Sequence, residues 1–218
     1  FTSMLIHDLR TPLTSIIGFA KVLSSNESDE EKKNFLNVIL QNSNRMMDLI
    51  NDFLDFSKIG AGKFEIKKSP TVITMIIDNL INSLDILAKN KSITIKKEFD
   101  DNLPFVNIDS RKIEQVVTNL LNNAIKFTNP NGQITIKGFF ENGFINVSIQ
   151  DNGVGIPEEE QEKIFTPYYQ TISGKNSEEK GSGLGLVISK MIIEAHGGSI
   201  SVKSKPGEGS IFTFTLPV

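Results

Sequence analysis

The strongest constraint in this chain is a change of rhythm at Gly60-Ala61-Gly62. Before it, apolar residues recur at three- and four-residue steps, the period of a helix with one buried stripe. Leu5, Leu9, Leu13, Ile16, Ile17, Ala20 and Leu23 make the first stripe. Phe35, Leu36, Ile39, Met46, Leu49, Ile50, Phe53, Leu54 and Phe56 make the second. The run Ser24-Ser25-Asn26-Glu27-Ser28-Asp29 separates them as a turn whose end offers helix caps. A hairpin this apolar cannot cover its own face, whereas two hairpins joined in a four-helix bundle can, so a homodimer is expected.

After the glycines the pattern becomes mixed. Alternation and turn signals predict strands over 64–68, 92–99, 105–108, 133–140, 144–150, 199–204 and 210–216. Helical periodicity predicts helices over 72–88, 110–127 and 184–196, and a loop with a short helical piece over 158–182. Glu141-Asn142-Gly143 is a hairpin turn. Strands and helices are segregated, which predicts an α+β fold with a mixed sheet covered by helices. The expected organisation is therefore an all-α hairpin over 1–59, a linker and first strand over 60–69, and an α+β domain over 70–218.

Bulk properties exclude several functions. A formal charge of -3 argues against a general nucleic-acid binder. With no cysteine there is no disulfide framework, thiolate metal site or cysteine nucleophile. No apolar run is long enough to span a bilayer, and no secretory signal opens the chain. Phe1 to Ile6 already reads as helix interior without a cap, so we expect a fragment of a longer protein. The expected location is the cytoplasm, with any membrane anchor of the parent lying in segments absent from this fragment.

Four clusters carry chemistry. In His7-Asp8-Leu9-Arg10-Thr11-Pro12-Leu13, a neutral imidazole can attack phosphorus while a neighbouring carboxylate fixes its tautomer. Pro12 removes a helical donor beside His7, and Thr11 lies one turn further on the same face. Taken alone, a helical His before Asp reads more readily as a surface histidine than as a nucleophile. In 110–127, Asn119 and Asn123 stack one turn apart with Lys126 close by; amide oxygens suit Mg²⁺ and lysine suits phosphate. A polar helix face is the ordinary alternative. Asp151-Asn152-Gly153-Val154-Gly155-Ile156 follows a strand, where a carboxylate can accept from an exocyclic amine and glycines admit close approach. It is also a plain turn sequence. Gly181-Ser182-Gly183-Leu184-Gly185-Leu186 leads into a helix, a start that suits an anion but lacks the rest of a dinucleotide fingerprint.

These clusters occur in order, each on its predicted element, and together the chain resembles the transmitter core of two-component sensor histidine kinases along essentially its whole length. Ile164-Phe165-Thr166-Pro167-Tyr168-Tyr169 resembles that family's phenylalanine box, and Gly207-Glu208-Gly209-Ser210 its last glycine turn. The resemblance implies that residues 70–218 form the ATP-binding sandwich shared with gyrase, the Hsp90 chaperones and MutL. It implies that His7 is phosphorylated with Asp8 as base or orienter, that Asn123 coordinates Mg²⁺, and that Asn119 and Lys126 lie near the phosphates. Asp151 then takes the adenine amine, Gly153, Gly155 and Ile156 shape the adenine pocket with Phe165 nearby, and Gly181, Gly183, Leu184, Gly185 and Leu186 close over the phosphates. The implied partner is the receiver domain of a response regulator, which the core also dephosphorylates through Thr11.

Two positions depart from the family pattern. Asp8 stands where glutamate is commoner, and Gln170 where arginine often follows the aromatic pair, leaving Lys175 and Lys180 as candidate phosphate cations. Asn119 occupies the place where related ATPases carry a water-activating glutamate. This counts against a stand-alone ATPase, while the intact clusters count against a degenerate kinase that only dimerises and docks. The second histidine, His196, is expected to be a helix-end residue with Gly197 as C-cap and no catalytic part.

Overall fold

A computed structural model of the chain describes residues 13, 14, 16–18, 20, 21, 23, 30–61, 64–171 and 183–218. Contacts divide the chain into two compact units, Phe1–Phe64 and Glu65–Val218. No helix among the described residues is long and apolar enough to cross a membrane.

In the first unit, the described residues from 13 to 23 are helical and α1 runs over Glu30–Gly60. At 1.5 Å per residue α1 is about 46 Å long. Leu13 and Ala20, two turns apart on one stripe, are buried, as is Ser43 on α1. Ile16, Leu23 and Met46, all expected in the buried stripes, are about half exposed in the single chain. One hairpin has too few apolar partners to cover them.

The second unit is built on a five-stranded mixed sheet in the order β2-β4-β5-β7-β6. Its strands are β2 (Thr94–Phe99), β4 (Gln133–Glu141), β5 (Phe144–Asp151), β6 (Ile200–Lys205) and β7 (Gly209–Pro217). β2 runs parallel to β4, and every other pair is antiparallel. Alternation decides which face is inside. Ile136, Ile149 and Phe212 lie in one register row, and Val147 pairs with Phe214; all are buried. Lys137 and Gln150 point the other way and are exposed.

Three long helices complete the unit: α2 (Ile73–Asn90), α3 (Ser110–Phe127) and α5 (Gly185–Ala195). The short α4 (Glu158–Gln161) and a 3-10 turn, Lys163–Phe165, precede α5. α3 packs against both α2 and α5. Its apolar face, Ile113, Val116, Val117, Leu120, Leu121, Ala124 and Ile125, is buried throughout. Burying each large aliphatic side chain contributes roughly 1.5–3 kcal/mol, so α3 is the element the unit can least move.

The first strand differs from expectation. Residues 64–68 form no strand; β1 is Ser69–Thr71, paired antiparallel with β3 (Val106–Ile108). The reason is a tertiary hydrogen bond. The Lys67 N–H donates to the Asp109 carboxylate at 3.0 Å instead of to a neighbouring strand, so the ladder starts only at Ser69.

Candidate nucleotide site

The site is assembled around α3. Asp109 caps this helix, its Oδ1 accepting from the Lys112 N–H at 3.2 Å. The cap fixes the helical phase and puts Asn119, Asn123 and Lys126 on the side away from the buried stripe, all three half-buried. The Asn123 side chain makes no hydrogen bond among the described residues, which leaves an amide oxygen for a ligand. Lys126 places its ammonium 5.2 Å from the centre of the Phe127 ring. At the end of the helix the Lys91 ammonium binds the carbonyls of Ile125 and Lys126 at 2.9 and 2.8 Å, satisfying the C-terminal acceptors.

The loop after β5 docks on the same helix end. Val154 donates its N–H to the Phe127 carbonyl at 3.2 Å. Asp151, only 6% exposed, sits at the strand end with its Oδ1 accepting from the Gly153 N–H at 2.9 Å. Burial pushes its carboxyl above the ordinary value, and N–H donors from Gly153 and Ser210 offset part of that. Gly155 has φ +70°, and a Cβ there would overlap the Lys205 carbonyl. The turn after β6 is thereby drawn against the loop, and Gly207 donates to the Val154 carbonyl at 2.8 Å. Ile156 is held by its N–H to Ser204 Oγ at 2.7 Å and by its carbonyl, which accepts from Gln161 Nε2 at 3.1 Å.

The start of α5 docks about two turns earlier on α3. Asn119 Nδ2 donates to Ser189 Oγ at 2.9 Å, and that hydroxyl donates to the Gly185 carbonyl at 2.9 Å. A Cβ on Gly185 would overlap Asn119 Oδ1. Leu184 is buried and Leu186 half-buried. Tyr168, with φ +63°, donates its N–H to the Gly183 carbonyl at 2.9 Å. Phe165 lies with its ring 5.9 Å from the Lys190 ammonium.

The structure thus places Asn119, Asn123 and Lys126 on α3 and packs Gly153 and Gly185 against it. It sets Asp151, Gly155 and Ile156 at the end of β5 and in the loop after it, and puts Gly183, Leu184 and Leu186 around the start of α5, with Phe165 beside Lys190 of α5. His7, Asp8, Thr11, Lys175, Lys180 and Gly181 lie outside the described residues. Sequence reasoning missed Ser189, Ser204 and Gln161. Ser189 carries a signal, lying one helical turn after Gly185; Ser204 and Gln161 reach the loop through tertiary contacts that no local pattern shows. His196 also differs. It is itself the C-cap, followed by Gly197 at φ +87°, and it is 1% exposed.

The donor set suits a hard cation only in part. Among the described residues no group of three or more His, Cys, Asp or Glu could hold a metal. A single partnerless amide oxygen at Asn123 fits Mg²⁺, which keeps waters and takes its remaining ligands from phosphate.

Comparison with known proteins points the same way. Residues 1–62 match the family described as the His Kinase A (phospho-acceptor) domain, and residues 108–218 that described as the histidine kinase-, DNA gyrase B- and HSP90-like ATPase. Among relatives, hybrid signal transduction histidine kinase B of Dictyostelium discoideum is 40% identical across 100% of this chain and 11% of its own length. The autoinducer 2 sensor kinase/phosphatase LuxQ of Vibrio harveyi is 35% identical across 100% of this chain and 26% of its own. The crystal structure of full-length ShkA in complex with AMPPNP is similar at a TM-score of 0.83 and 27% identity, over 99% of this chain and 45% of that one. The chain therefore spans about a tenth to a quarter of the relatives' length.

Proposed function

This chain belongs to the two-component sensor histidine kinases, as a transmitter core, and from that membership we propose that it is an autokinase. It binds ATP in residues 70–218, moves the γ-phosphoryl group to His7, and passes it to an aspartate on the receiver domain of a response regulator. The observation that carries this reading is the convergence on α3: the glycine loop after β5 and the start of α5 both dock there, beside an Asn123 amide with no protein partner among the described residues.

Asp151 accepts from the adenine amine, a role that suits a desolvated carboxylate already oriented by Gly153. Gly153, Gly155 and Ile156 line the adenine side with Phe165, while Asn119, Lys126 and residues 181–186 face the phosphates. Lys175 and Lys180 supply charge where Gln170 replaces an arginine. Mg²⁺, held by Asn123 Oδ1, would offset the charge of the phosphate oxygens. A ring nitrogen of neutral His7 donates its lone pair to the γ-phosphorus; the P–N bond forms as the bond to the ADP oxygen breaks. Asp8 accepts the other ring N–H and holds the tautomer. An amide at position 119 is a very poor base, so water is not activated and the nucleotide is kept for His7.

The functional division is a dimerisation and phosphotransfer hairpin over 1–59, a connecting segment over 60–69 and the catalytic domain over 70–218. Half-exposed Ile16, Leu23 and Met46 support a homodimer, since a second hairpin would cover them. A cytoplasmic site of action follows from ATP and a receiver domain as substrates. Dephosphorylation of the regulator is a second activity of the same hairpin, favoured by Thr11 three residues after Asp8 and by LuxQ's description as a kinase/phosphatase.

Incubation with γ-labelled ATP tests the main reading. Acid-labile label on the protein, absent from His7→Ala, is expected; label released as free phosphate would make it an ATPase, and no label with no nucleotide bound would make it a docking module.

A further inference from the structure

His196 is one of two histidines in the chain, and the phosphoryl-transfer chemistry above makes no use of it. It is also the most enclosed titratable side chain among the described residues, at 1% exposure. Both ring nitrogens are committed. Nε2 accepts the Asp109 backbone N–H at 3.0 Å, so it carries no proton. Nδ1 therefore holds the single ring proton and donates it to the Ile192 carbonyl at 2.7 Å. Burial is the main cause holding the imidazole below its ordinary pKa, with the Lys68 charge acting in the same direction, against the Ile192 hydrogen bond and the Asp109 charge.

What these bonds join is more informative than the bonds themselves. Asp109 is the cap of α3, the helix bearing Asn119, Asn123 and Lys126. Ile192 and His196 form the end of α5, whose start meets Asn119. The imidazole thus ties the far ends of the two helices, about 15 Å along α3 from Asn119. A third element enters at the same point. The Lys67 N–H donates to Asp109 Oδ2 at 3.0 Å, and the Lys68 ammonium donates to the His196 carbonyl at 3.2 Å. In the chain, this segment continues towards the helical hairpin.

We propose that His196 is a positioning residue for the nucleotide site, a node that sets the spacing of α3 and α5 and makes it sensitive to the placement of residues 65–68. The inference rests on the kinase reading for the identity of the nucleotide, but the node itself is a property of the second unit alone. With Lys67 bonded to Asp109 and Lys68 to His196, the Asp109–His196 pair is where a displacement of 65–68 reaches both helices at once. The Asn119–Ser189 bond then acts as the second point of a two-point clamp: moving one end of α5 rotates its other end over the phosphates.

The test uses the whole chain with His196→Phe, which keeps an aromatic ring without nitrogens, and His196→Gln, which restores an acceptor for the Asp109 N–H. Two quantities are measured: ATP affinity by calorimetry and amide hydrogen exchange in the first turn of α3. Leaving the part-buried Asp109 N–H without its acceptor disfavours this packing of α3 and α5 by about ten-fold. His196→Phe should therefore bind ATP about ten-fold more weakly and exchange the Asp109 amide much faster, with kcat changed less than KM. His196→Gln should recover most of both. Lys68→Met should weaken ATP by a smaller factor and add nothing on top of His196→Phe, because both act through one node. Unchanged ATP affinity in His196→Phe, no recovery in His196→Gln, or full additivity with Lys68→Met would each overturn the proposal. If the unsubstituted chain bound no ATP, the kinase reading would fall, whereas the exchange at Asp109 would still decide whether His196 holds the two helices together.

Discussion

Asn119 and Ser189 face one another across the contact of α3 and α5, the amide Nδ2 donating to the buried hydroxyl at 2.9 Å. The hydroxyl spends its own proton on the Gly185 carbonyl, so towards Asn119 it acts as acceptor. The amide is thereby oriented with Oδ1 towards Gly185, in the space that a Cβ on that glycine would occupy. The contact joins a candidate phosphate residue to the first residue of the helix that follows the glycine motif.

Gly185→Ala should therefore do more harm to the site than to the fold. The new methyl overlaps Asn119 Oδ1, and overpacking of this kind typically costs about 1–3 kcal/mol. The strain is relieved by turning Asn119 away, which breaks the bond to Ser189. ATP affinity is expected to fall about ten-fold or more while the protein still unfolds cooperatively. Wild-type affinity in Gly185→Ala would mean that the two helices part without consequence.

Asp151 makes the opposite trade. Its carboxyl is pushed up by burial, so the folded state holds its proton to a higher pH than the unfolded chain does. This group penalises folding as pH rises from near 3.8 through its raised folded value, and the penalty is absent below both. Asp151→Asn removes the buried charge and should leave thermal stability unchanged or higher at pH 7. It should nevertheless weaken ATP, because the carboxylate acceptor for the adenine amine is lost. For the same reason GTP, which presents a carbonyl there, should bind the wild type about ten- to a hundred-fold more weakly than ATP, a mismatch of about 1–3 kcal/mol. Equal affinities for the two nucleotides by calorimetry would remove Asp151 from the adenine site.

His196 predicts an acid-sensitive component of stability. The unfolded chain takes its proton near 6.5, whereas the folded protein takes it only at lower pH. Between the two values the unfolded state binds more protons, so stability falls on acidification through that window and is fully present above it. Asp109 acts lower. Burial raises its pKa but N–H donors from Lys67, Lys112 and Arg111 outweigh that, so its contribution is present above 3.8 and lost below. The urea midpoint of the wild type should drop between pH 7.5 and 5.5, and that of His196→Gln should drop less. Parallel curves for the two proteins would place the acid step elsewhere.

Legibility in the sequence followed the range of the forces involved. α3 could be read to its ends because its cap, its seven buried apolar positions and its length all lie within one segment. The β4–β5 hairpin was equally local, marked by the turn at Glu141-Asn142-Gly143. The strand expected over 64–68 was not, because an acceptor 42 residues away takes the Lys67 N–H. In the site, Gly155 could be read as a position of close approach and Gly185 as part of a helix start suited to an anion, but Lys205 and Asn119, the groups they pack against, could not. His196 looked like a helix end from its two glycines, and its role as a junction depends on Asp109, 87 residues earlier.

Thr11 yields the last prediction, concerning the second activity proposed for the hairpin. It stands four residues after His7 and three after Asp8, a spacing that in a helix would put it on the His7 face, where the proposal has a docked receiver present its aspartyl phosphate. A hydroxyl there can hold a water for in-line attack on that phosphorus: the water oxygen bonds to phosphorus as the acyl–phosphate bond breaks, and the regulator's aspartate and inorganic phosphate are released. Transfer from ATP to His7 uses the imidazole lone pair and needs no such water. Thr11→Ala should therefore slow regulator dephosphorylation by about ten-fold or more, in the lower range for loss of a proton-handling or water-positioning group. Autophosphorylation should change by less than about two-fold, since the backbone and Pro12 are untouched. The measurement is the decay of phosphorylated regulator with nucleotide and Mg²⁺ present, beside the initial rate of His7 labelling. Thr11→Ser, which keeps the hydroxyl, should retain most of the phosphatase rate. If both activities fall in parallel, Thr11 is a structural part of the helix around Pro12 and the phosphatase role is wrong.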